Sequence, residues 1–293
     1  MADGILLIDK PQGFTSFDVI AKLRGMSRQR KIGHTGTLDP MATGVLPCLF
    51  GSATRLCDVM PCEEKTYFAT VQLGVCTDTQ DITGAVLEKS DRAVDKEALF
   101  AVLPAFRGAI TQLPPMYSAV SVDGRRLYDL ARQGKEVARP ERQITIYDLT
   151  LASFDAHRRV AEFSVTCSKG SYVRTLFHDI GQALGCGAAL LALRRTASNG
   201  FSIGDCITMA EAQRLTDAGA LLDRLLPVYT AFAALPRFEV GEWQGRMLSN
   251  GVALSLKKLG DPRPGQYAVW QDGAFLGLGT VAPGADGMRL KRF

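Results

Sequence analysis

Two stretches, "QITIYDLTLASF" (residues 143–154) and "RVAEFSVTCSKG" (159–170), are joined by the polar "DAHR" and followed by "YVRTLFHDIGQALG" (172–185). The first two alternate apolar and polar residues and read as paired strands. The third carries Val173, Leu176, Phe177 and Ile180 at helical spacing and stops at Gly185. Two strands in succession and then a helix break the β-α-β rhythm of a doubly wound sheet. The pattern predicts an α/β chain of the α+β type, built on a mixed, mainly antiparallel sheet.

Outward from this unit the same texture continues. "GILLIDKP" (4–11) reads as a short buried strand ended by Pro11, and "TSFDVIAKLRGM" (15–26) as a helix capped by Thr15 or Ser16. "KTYFATVQLGV" (65–75) alternates, with Tyr67, Ala69, Val71 and Leu73 on one face, and "TDTQDITG" (77–84) is a polar turn. "DKEALFAVLPAF" (95–106) is helical to about Leu103, and "QLPPMYSAV" (112–120) is stiff and extended, leading to a "VDGRR" turn. Leu127, Leu130 and Ala131 then mark a short helix ended by Gly134. Pro227 and Pro236 bracket a linker-like stretch. Beyond it "RMLSNGVALSL", "GQYAVWQDGAFLGLGTV" and "GMRLKRF" read as short strands with turns at Asn250-Gly251 and Asp272-Gly273. The expected division is a large domain over 1–230 and a small all-β domain over 237–293.

Composition narrows the class. At 293 residues and 46% hydrophobic, the chain buries a substantial core, yet no apolar run approaches the roughly 20 residues of a membrane helix. "MADGILLIDKPQG" lacks the basic start of a secretory signal, so a cytoplasmic protein without a membrane partner is expected. Seven cysteines without a C-x-x-C pair suggest no disulfide framework, and Cys57 and Cys62 read as buried thiols. With three histidines, no metal centre is expected. The net charge is +4, unevenly placed. Lys22, Arg24, Arg28, Arg30 and Lys31 follow one another with no acid between Asp18 and Asp39. A second basic run, residues 124–143, includes Arg125, Arg126, Arg132 and Lys135. Each run alone is an ordinary solvated face; two of them flanking a glycine-rich loop point to a polyanion.

That loop, "KIGHTGTLDPMATGVLP" (31–47), shows neither helical nor strand periodicity and holds a single acid, Asp39. Pro40 restrains Asp39 to extended angles and so presents it from a stiff backbone. By itself an Asp-Pro pair is a common start for a turn. No G-x-x-x-x-G-K pattern is present, which excludes a phosphate-cradling P-loop. Glycoside hydrolysis needs a second carboxylate, for which Asp78 and Asp81 are available. A leaving group already stable as an anion, such as uracil departing through N1, has less need of a strong acid, and one carboxylate then suffices.

The loop closely resembles the segment that carries the catalytic aspartate of the TruB family of tRNA pseudouridine synthases. "GILLIDKPQGFTSFDVI", "EKTYFATVQLGVCTDTQD", "QLPPMYSAVSVDGRRLYDLARQG", "SKGSYVRTLFHDIG" and "LRRTASNGF" resemble further family segments in family order, so the similarity covers nearly the whole chain. It implies a pseudouridine synthase catalytic domain over 1–230 with a basic RNA-clamping insertion near 107–143, and a PUA-like RNA-binding domain over 237–293. It implies isomerisation of uridine 55 in the T loop of tRNA by base flipping, N1 glycosidic cleavage, rotation of uracil and C5–C1′ bond formation, with no cofactor and no metal. Asp39 takes the place of the essential aspartate, which attacks the sugar or removes the C2′ proton. By the same resemblance Arg174 pairs with Asp39, Tyr67 stacks on the target base, and Tyr172 and Leu193 line the uracil pocket. His34 fills the space left by the flipped nucleotide, and Lys65, Arg125, Arg126, Arg132 and Lys135 meet RNA. The type resembled is the bacterial one, expected to work on tRNA as a monomer without an obligate protein partner, rather than within a guide-RNA particle. A non-catalytic RNA-binding protein and a hydrolase using Asp39 with Asp78 or Asp81 are the competing readings.

Overall fold

The computed structural model describes residues 2–118, 120–122 and 124–293. In chain order come β1 (Gly4–Lys10), α1 (Ser16–Ser27), β2 (Ile32–His34), β3 (Thr43–Phe50), β4 (Lys65–Leu73), β5 (Val75–Thr77), β6 (Val86–Lys89) and α2 (Lys96–Val102). There follow β7 (Gly108–Gln112), β8 (Ser121–Val122), β9 (Arg125–Arg126), α3 (Leu127–Ala131), β10 (Arg142–Asp155), β11 (Val160–Cys167) and α4 (Val173–Ala183). Next are β12 (Ala188–Ser198), β13 (Phe201–Ser202), β14 (Ile207–Thr208) and α5 (Met209–Asp217). The chain ends with β15 (Arg237–Glu239), α6 (Glu242–Ser249), β16 (Leu254–Ser255), β17 (Gly265–Gln271), β18 (Ala274–Val281) and β19 (Gly287–Lys291).

Among the described residues one ten-stranded sheet runs β14-β1-β3-β12-β4-β11-β10-β7, with β2 beside β3 and β13 beside β12. It is mixed, as the sequence pattern predicts: β1/β14 and β3/β12 are parallel and the other pairs antiparallel. Period-2 alternation turns Tyr67, Ala69, Val71 and Leu73 of β4 inward, where they meet Phe163 and Val165 of β11 and the apolar face of α4. Phe163 and Phe177 sit ring to ring at 4.8 Å. On the other half of the sheet α1 lays Val19, Ile20 and Leu23 over Leu6, Ile8, Leu46 and Phe50. Thr15 caps α1 through a reciprocal bond pair with Asp18, at 3.0 Å to the Asp18 amide and 2.8 Å from the Thr15 amide to the Asp18 carboxylate, a cap worth about 1 kcal/mol.

A five-stranded C-terminal sheet, β15-β17-β18-β19-β16, is consistent with a PUA-like module. Its Asp272-Gly273 turn has both residues at positive φ, as a two-residue hairpin requires.

Several local expectations need correction. "RMLSNGVALSL" opens as the end of α6, not as a strand: its apolar run is short enough to suit either period, and burial of Leu248 selects the helix. The stretch between Pro227 and Pro236 is no slack linker, because Phe232 is fully buried and stacks on Phe275 and Phe293 at 5.3 and 5.2 Å. The glycine-rich loop is strand at both ends, Ile32–His34 and Thr43–Phe50, leaving only 35–42 irregular. Cys57 is exposed and Cys62 half-buried, contrary to the reading as buried thiols. Asp123 of the expected "VDGRR" turn and Ala119 of "QLPPMYSAV" lie outside the described residues.

Candidate active site

The 35–42 loop leaves the sheet where β3 meets β12, and each of its turns is fastened. The Ala42 amide donates to the Asp39 carbonyl at 3.0 Å, which closes a tight turn with Pro40 at its second position. Ser16 of α1 bonds Leu38 in both directions, at 2.9 and 3.3 Å, and the Gly13 amide donates to the Pro40 carbonyl at 2.8 Å. Beneath the turn lies Lys10, the last residue of β1 and fully buried, whose ammonium donates to the carbonyls of Pro11, Phe14 and Pro40. Burial pushes the Lys10 amine down to about 8, while the nearby Asp39 charge works the other way.

Asp39 faces Arg174, in the first turn of α4. Nε of the arginine is 2.8 Å from the Asp39 carboxylate, and the arginine side chain is 4% exposed against 37% for the aspartate. Arg174 is itself anchored: Nη1 donates to the Thr79 carbonyl at 2.8 Å and Nη2 to the Tyr117 carbonyl at 2.9 Å. Behind it Asp81 is buried 3.7 Å away, its other oxygen held by Thr79 and Thr83. One cation thus stands between two carboxylates. Burial raises the Asp39 carboxyl above its ordinary value, and Arg174 opposes that rise most strongly. Because one edge of Asp39 still opens to solvent, the full desolvation arrives only when a ligand covers it.

Asp39 opens on a cavity of about 370 Å³. The structure brings His34, Lys65, Tyr67, Tyr172, Arg174 and Leu193 to the wall of that same cavity. Tyr67 and Leu193 lie on β4 and β12, and their apolar surfaces face inward because both strands alternate into the core. Tyr172 precedes α4 and is clamped through its backbone by the buried Gln112 side chain, which accepts from its amide at 2.8 Å and donates to its carbonyl at 3.1 Å. Burial, reinforced by the Arg195 charge, holds the His34 imidazole below its ordinary value of 6.5 and so neutral at neutral pH, with Nδ1 buried and unpartnered. Lys65 donates to the Glu63 carbonyl at 3.2 Å, and its methylene stem passes Gly36 so closely that a Cβ there would stand 3.1 Å from it. At the rim Lys169 and Glu63 form an ion pair.

Not every expected residue joins this wall. Arg125, Arg126 and Arg132 line a second, shallow cleft on the exposed β9–α3 insertion, and Lys135 is exposed just beyond α3. The insertion reaches the cavity through Ser118 and the Tyr117 carbonyl instead. Asp78 and Asp81 stay off the cavity wall, where the acids among the described residues are Asp39 and Glu63. The second carboxylate that the hydrolase reading assigns to Asp78 or Asp81 is therefore not on that wall, and the Glu63 carboxylate there is held by Lys169 at the rim. Sequence reasoning passed over Lys10, Gln112, Arg195 and Asn199, which lines the cavity and accepts from the Thr35 hydroxyl at 2.8 Å, and it read Asp81 as a turn residue or as the second carboxylate of a hydrolase. Lys10 and Arg195 were visible only as charges inside apolar strands, a pattern that a buried polar role explains.

No helix among the described residues is long and apolar enough to cross a membrane, and no cluster of metal-ligating side chains occurs among them. In comparisons with known proteins, residues 24–173 match the N-terminal domain of TruB family pseudouridylate synthases and residues 174–233 match the C-terminal domain of tRNA pseudouridylate synthase B. The chain is 44% identical over 280 residues to a protein of Chromohalobacter salexigens named tRNA pseudouridine synthase B, covering 95% of this chain and 90% of that one. It is also 44% identical over 295 residues to the protein of the same name from Azoarcus sp. strain BH72, covering 100% and 95%. Among solved structures, a chain of a Cbf5-Nop10-Gar1 complex superposes with a TM-score of 0.76 at 25% identity, over 99% of this chain and 84% of that one. With this sequence match along its length, and Asp39 held by the buried Arg174 at the cavity, the chain belongs to the TruB family of pseudouridylate synthases.

Proposed function

We propose that the protein isomerises uridine 55 in the T loop of tRNA to pseudouridine, acting as a monomer on RNA alone. The observation that carries this reading is the Asp39–Arg174 pair, 2.8 Å apart, at a cavity lined by Tyr67, Tyr172 and Leu193. A target base inside a folded loop must be drawn out before its sugar is reached. The flipped uracil stacks on Tyr67 between Tyr172 and Leu193, and neutral His34 takes its place in the RNA. Asp39 then attacks C1′ or removes the C2′ proton; both routes need the ionised carboxylate that Arg174 favours. The N1–C1′ bond breaks, uracil turns, and C5 joins C1′. N1 ends with a proton and C5 gives one up, so substrate and product are isomers and no oxidant or co-substrate is consumed.

The basic insertion near 107–143, with Arg125, Arg126, Arg132 and Lys135, closes on the T arm, and Lys65 meets a phosphate. The unit over 237–293 grips the acceptor side. The charge of both surfaces suits a phosphate backbone. The test is incubation of a T-arm stem-loop RNA with the protein and no additive, followed by mass-spectrometric mapping. Pseudouridine at the position of uridine 55 is expected. RNA bound tightly but left unchanged overturns the reading in favour of a binding protein, and release of free uracil overturns it in favour of a hydrolase. Asp39→Asn is expected to retain RNA and lose all product.

A further inference from the structure

Arg195 is the largest fully buried side chain among the described residues, at 0% exposure. It lies at the centre of the sheet on β12, with Tyr67 of β4 as its direct partner on one side and Gly44 of β3 on the other. Gly44 is required there: its φ is +106°, and a Cβ would stand 2.1 Å from the Arg195 carbonyl oxygen. The guanidinium donates through Nε to the Val45 carbonyl at 2.7 Å and through Nη2 to the Gly36 carbonyl at 3.2 Å. Nη1 is buried and has no hydrogen-bond partner. No carboxylate pairs with Arg195 among the described residues, whereas its neighbour Arg194, half exposed, pairs with Asp9 at 2.7 Å.

A buried guanidinium stays charged, and a buried charge without a counter-ion is costly. A methionine would fill the same volume without that cost, so packing alone does not account for an arginine. What stands next to it does. Gly36 and Tyr67 form part of the cavity wall, and Arg195 sits directly behind them without reaching the cavity. Its positive charge extends to Tyr67, Lys65 and His34. In the proposed reaction the uracil stacked on Tyr67 carries negative charge after N1 leaves C1′ and before C5 joins it, so the anion develops against this wall. A fixed cation in a dry site opposite charge that exists only during the reaction lowers the barrier without holding the substrate more tightly.

We propose that Arg195 is the positioning residue of the reaction, tying Gly36 of the Asp39 loop, β3 and Tyr67 into one wall and stabilising the detached uracil through Tyr67. This rests on the pseudouridine synthase reading, and it predicts a residue that alters turnover without altering binding. Arg195→Met is expected to lower single-turnover kcat 10- to 100-fold with the Kd for T-arm RNA within twofold. Arg195→Lys, which keeps the cation but cannot span the same acceptors, is expected to recover part of that loss. In the Tyr67→Phe background the Arg195→Lys effect is expected to shrink to less than threefold.

A readout in the free protein separates this from simple loosening of the fold. The 13C-tyrosine signal of Tyr67, assigned by Tyr67→Phe, is expected to titrate at higher pH in Arg195→Met than in the wild type. If the Met variant does not fold, the Lys variant carries the same comparison, with a displaced Tyr67 signal expected. An unmoved Tyr67 signal, a kcat within twofold of wild type, or an equal loss with and without the Tyr67 hydroxyl would overturn the proposal. Should the wild type leave uridine unchanged, the reaction reading fails, while the tyrosine titration still decides whether Arg195 acts on Tyr67.

Discussion

Arg174→Lys and Arg174→Met probe the centre of the site. Arg174 directs one N–H to Asp39 at 2.8 Å and two more to the Thr79 and Tyr117 carbonyls at 2.8 and 2.9 Å, with Asp81 at 3.7 Å behind. A lysine keeps a charge near Asp39 but lacks the planar fork, so at least one charge-assisted bond disappears, about 1.5–3 kcal/mol. At 1.36 kcal/mol per decade this corresponds to a rate lower by about 10- to 150-fold. Methionine removes the cation and leaves two carboxylates facing each other across a buried site. Breaking a buried pair costs about 3–5 kcal/mol, which projects to a loss of about 10²- to 10⁴-fold if it falls on the reacting state. The sign on the pH axis follows from the same groups. Burial already raises the Asp39 carboxyl and Arg174 is the main opposing influence, so its removal moves the acid limb of the rate profile to higher pH. Single-turnover formation of pseudouridine between pH 5.5 and 9, with filter binding of the same RNA, measures both effects. A Met variant with wild-type rate, or a limb that moves to lower pH, would refute the role given to the pair. A matching loss of RNA affinity would move Arg174 from chemistry to binding.

Four further outcomes are expected. Lys10→Met leaves the three carbonyls around the ammonium without their donor and should destabilise the fold by a few kcal/mol in chemical denaturation. In the wild type the folded Lys10 releases its proton near pH 8 while the unfolded chain holds it to 10.5, so this residue makes stability rise with pH across that window by about 1.4 kcal/mol per unit; the variant should lack that rise. Gly44→Ala should cost more than about 3 kcal/mol or prevent folding, since its Cβ meets the β12 backbone at 2.1 Å; soluble expression at wild-type stability would contradict the packing described. Glu63→Gln frees Lys169 at the rim and should tighten RNA binding a few-fold with a steeper salt dependence, read by titration at two ionic strengths. Replacing Arg125, Arg126, Arg132 and Lys135 by alanine should weaken RNA binding and flatten its salt slope by about 0.9 for each phosphate no longer neutralised, with turnover at saturating RNA unchanged.

Local pattern and tertiary structure contributed different things to this protein. The alternation of residues 65–73 and 143–167, the capping signal at Thr15 and the helical stripe of α4 were legible because each depends on neighbours a few positions away. The stiffness around Asp39 was legible for the same reason, since Pro40 acts on the residue before it. The ends of the glycine-rich loop were not legible: Thr43–Phe50 extends beside β1 and β12, which arrive from elsewhere in the chain, and Ile32–His34 extends in turn beside Thr43–Phe50. Nor did any local signal separate Asp81 from the turn that holds it, or Lys10 from the strand that it ends. Arg174 lies 93 residues from Asp81 and 135 from Asp39, and only the packing of α4 against the sheet makes one guanidinium the neighbour of both carboxylates. Charge placement of this kind is a property of the folded interior, where low dielectric turns residues distant in sequence into partners. The amino-acid sequence on its own determined the class of sheet and singled out Asp39 on its stiff loop, while tertiary structure decided which cations surround Asp39, because only folding removes the water that would otherwise screen them.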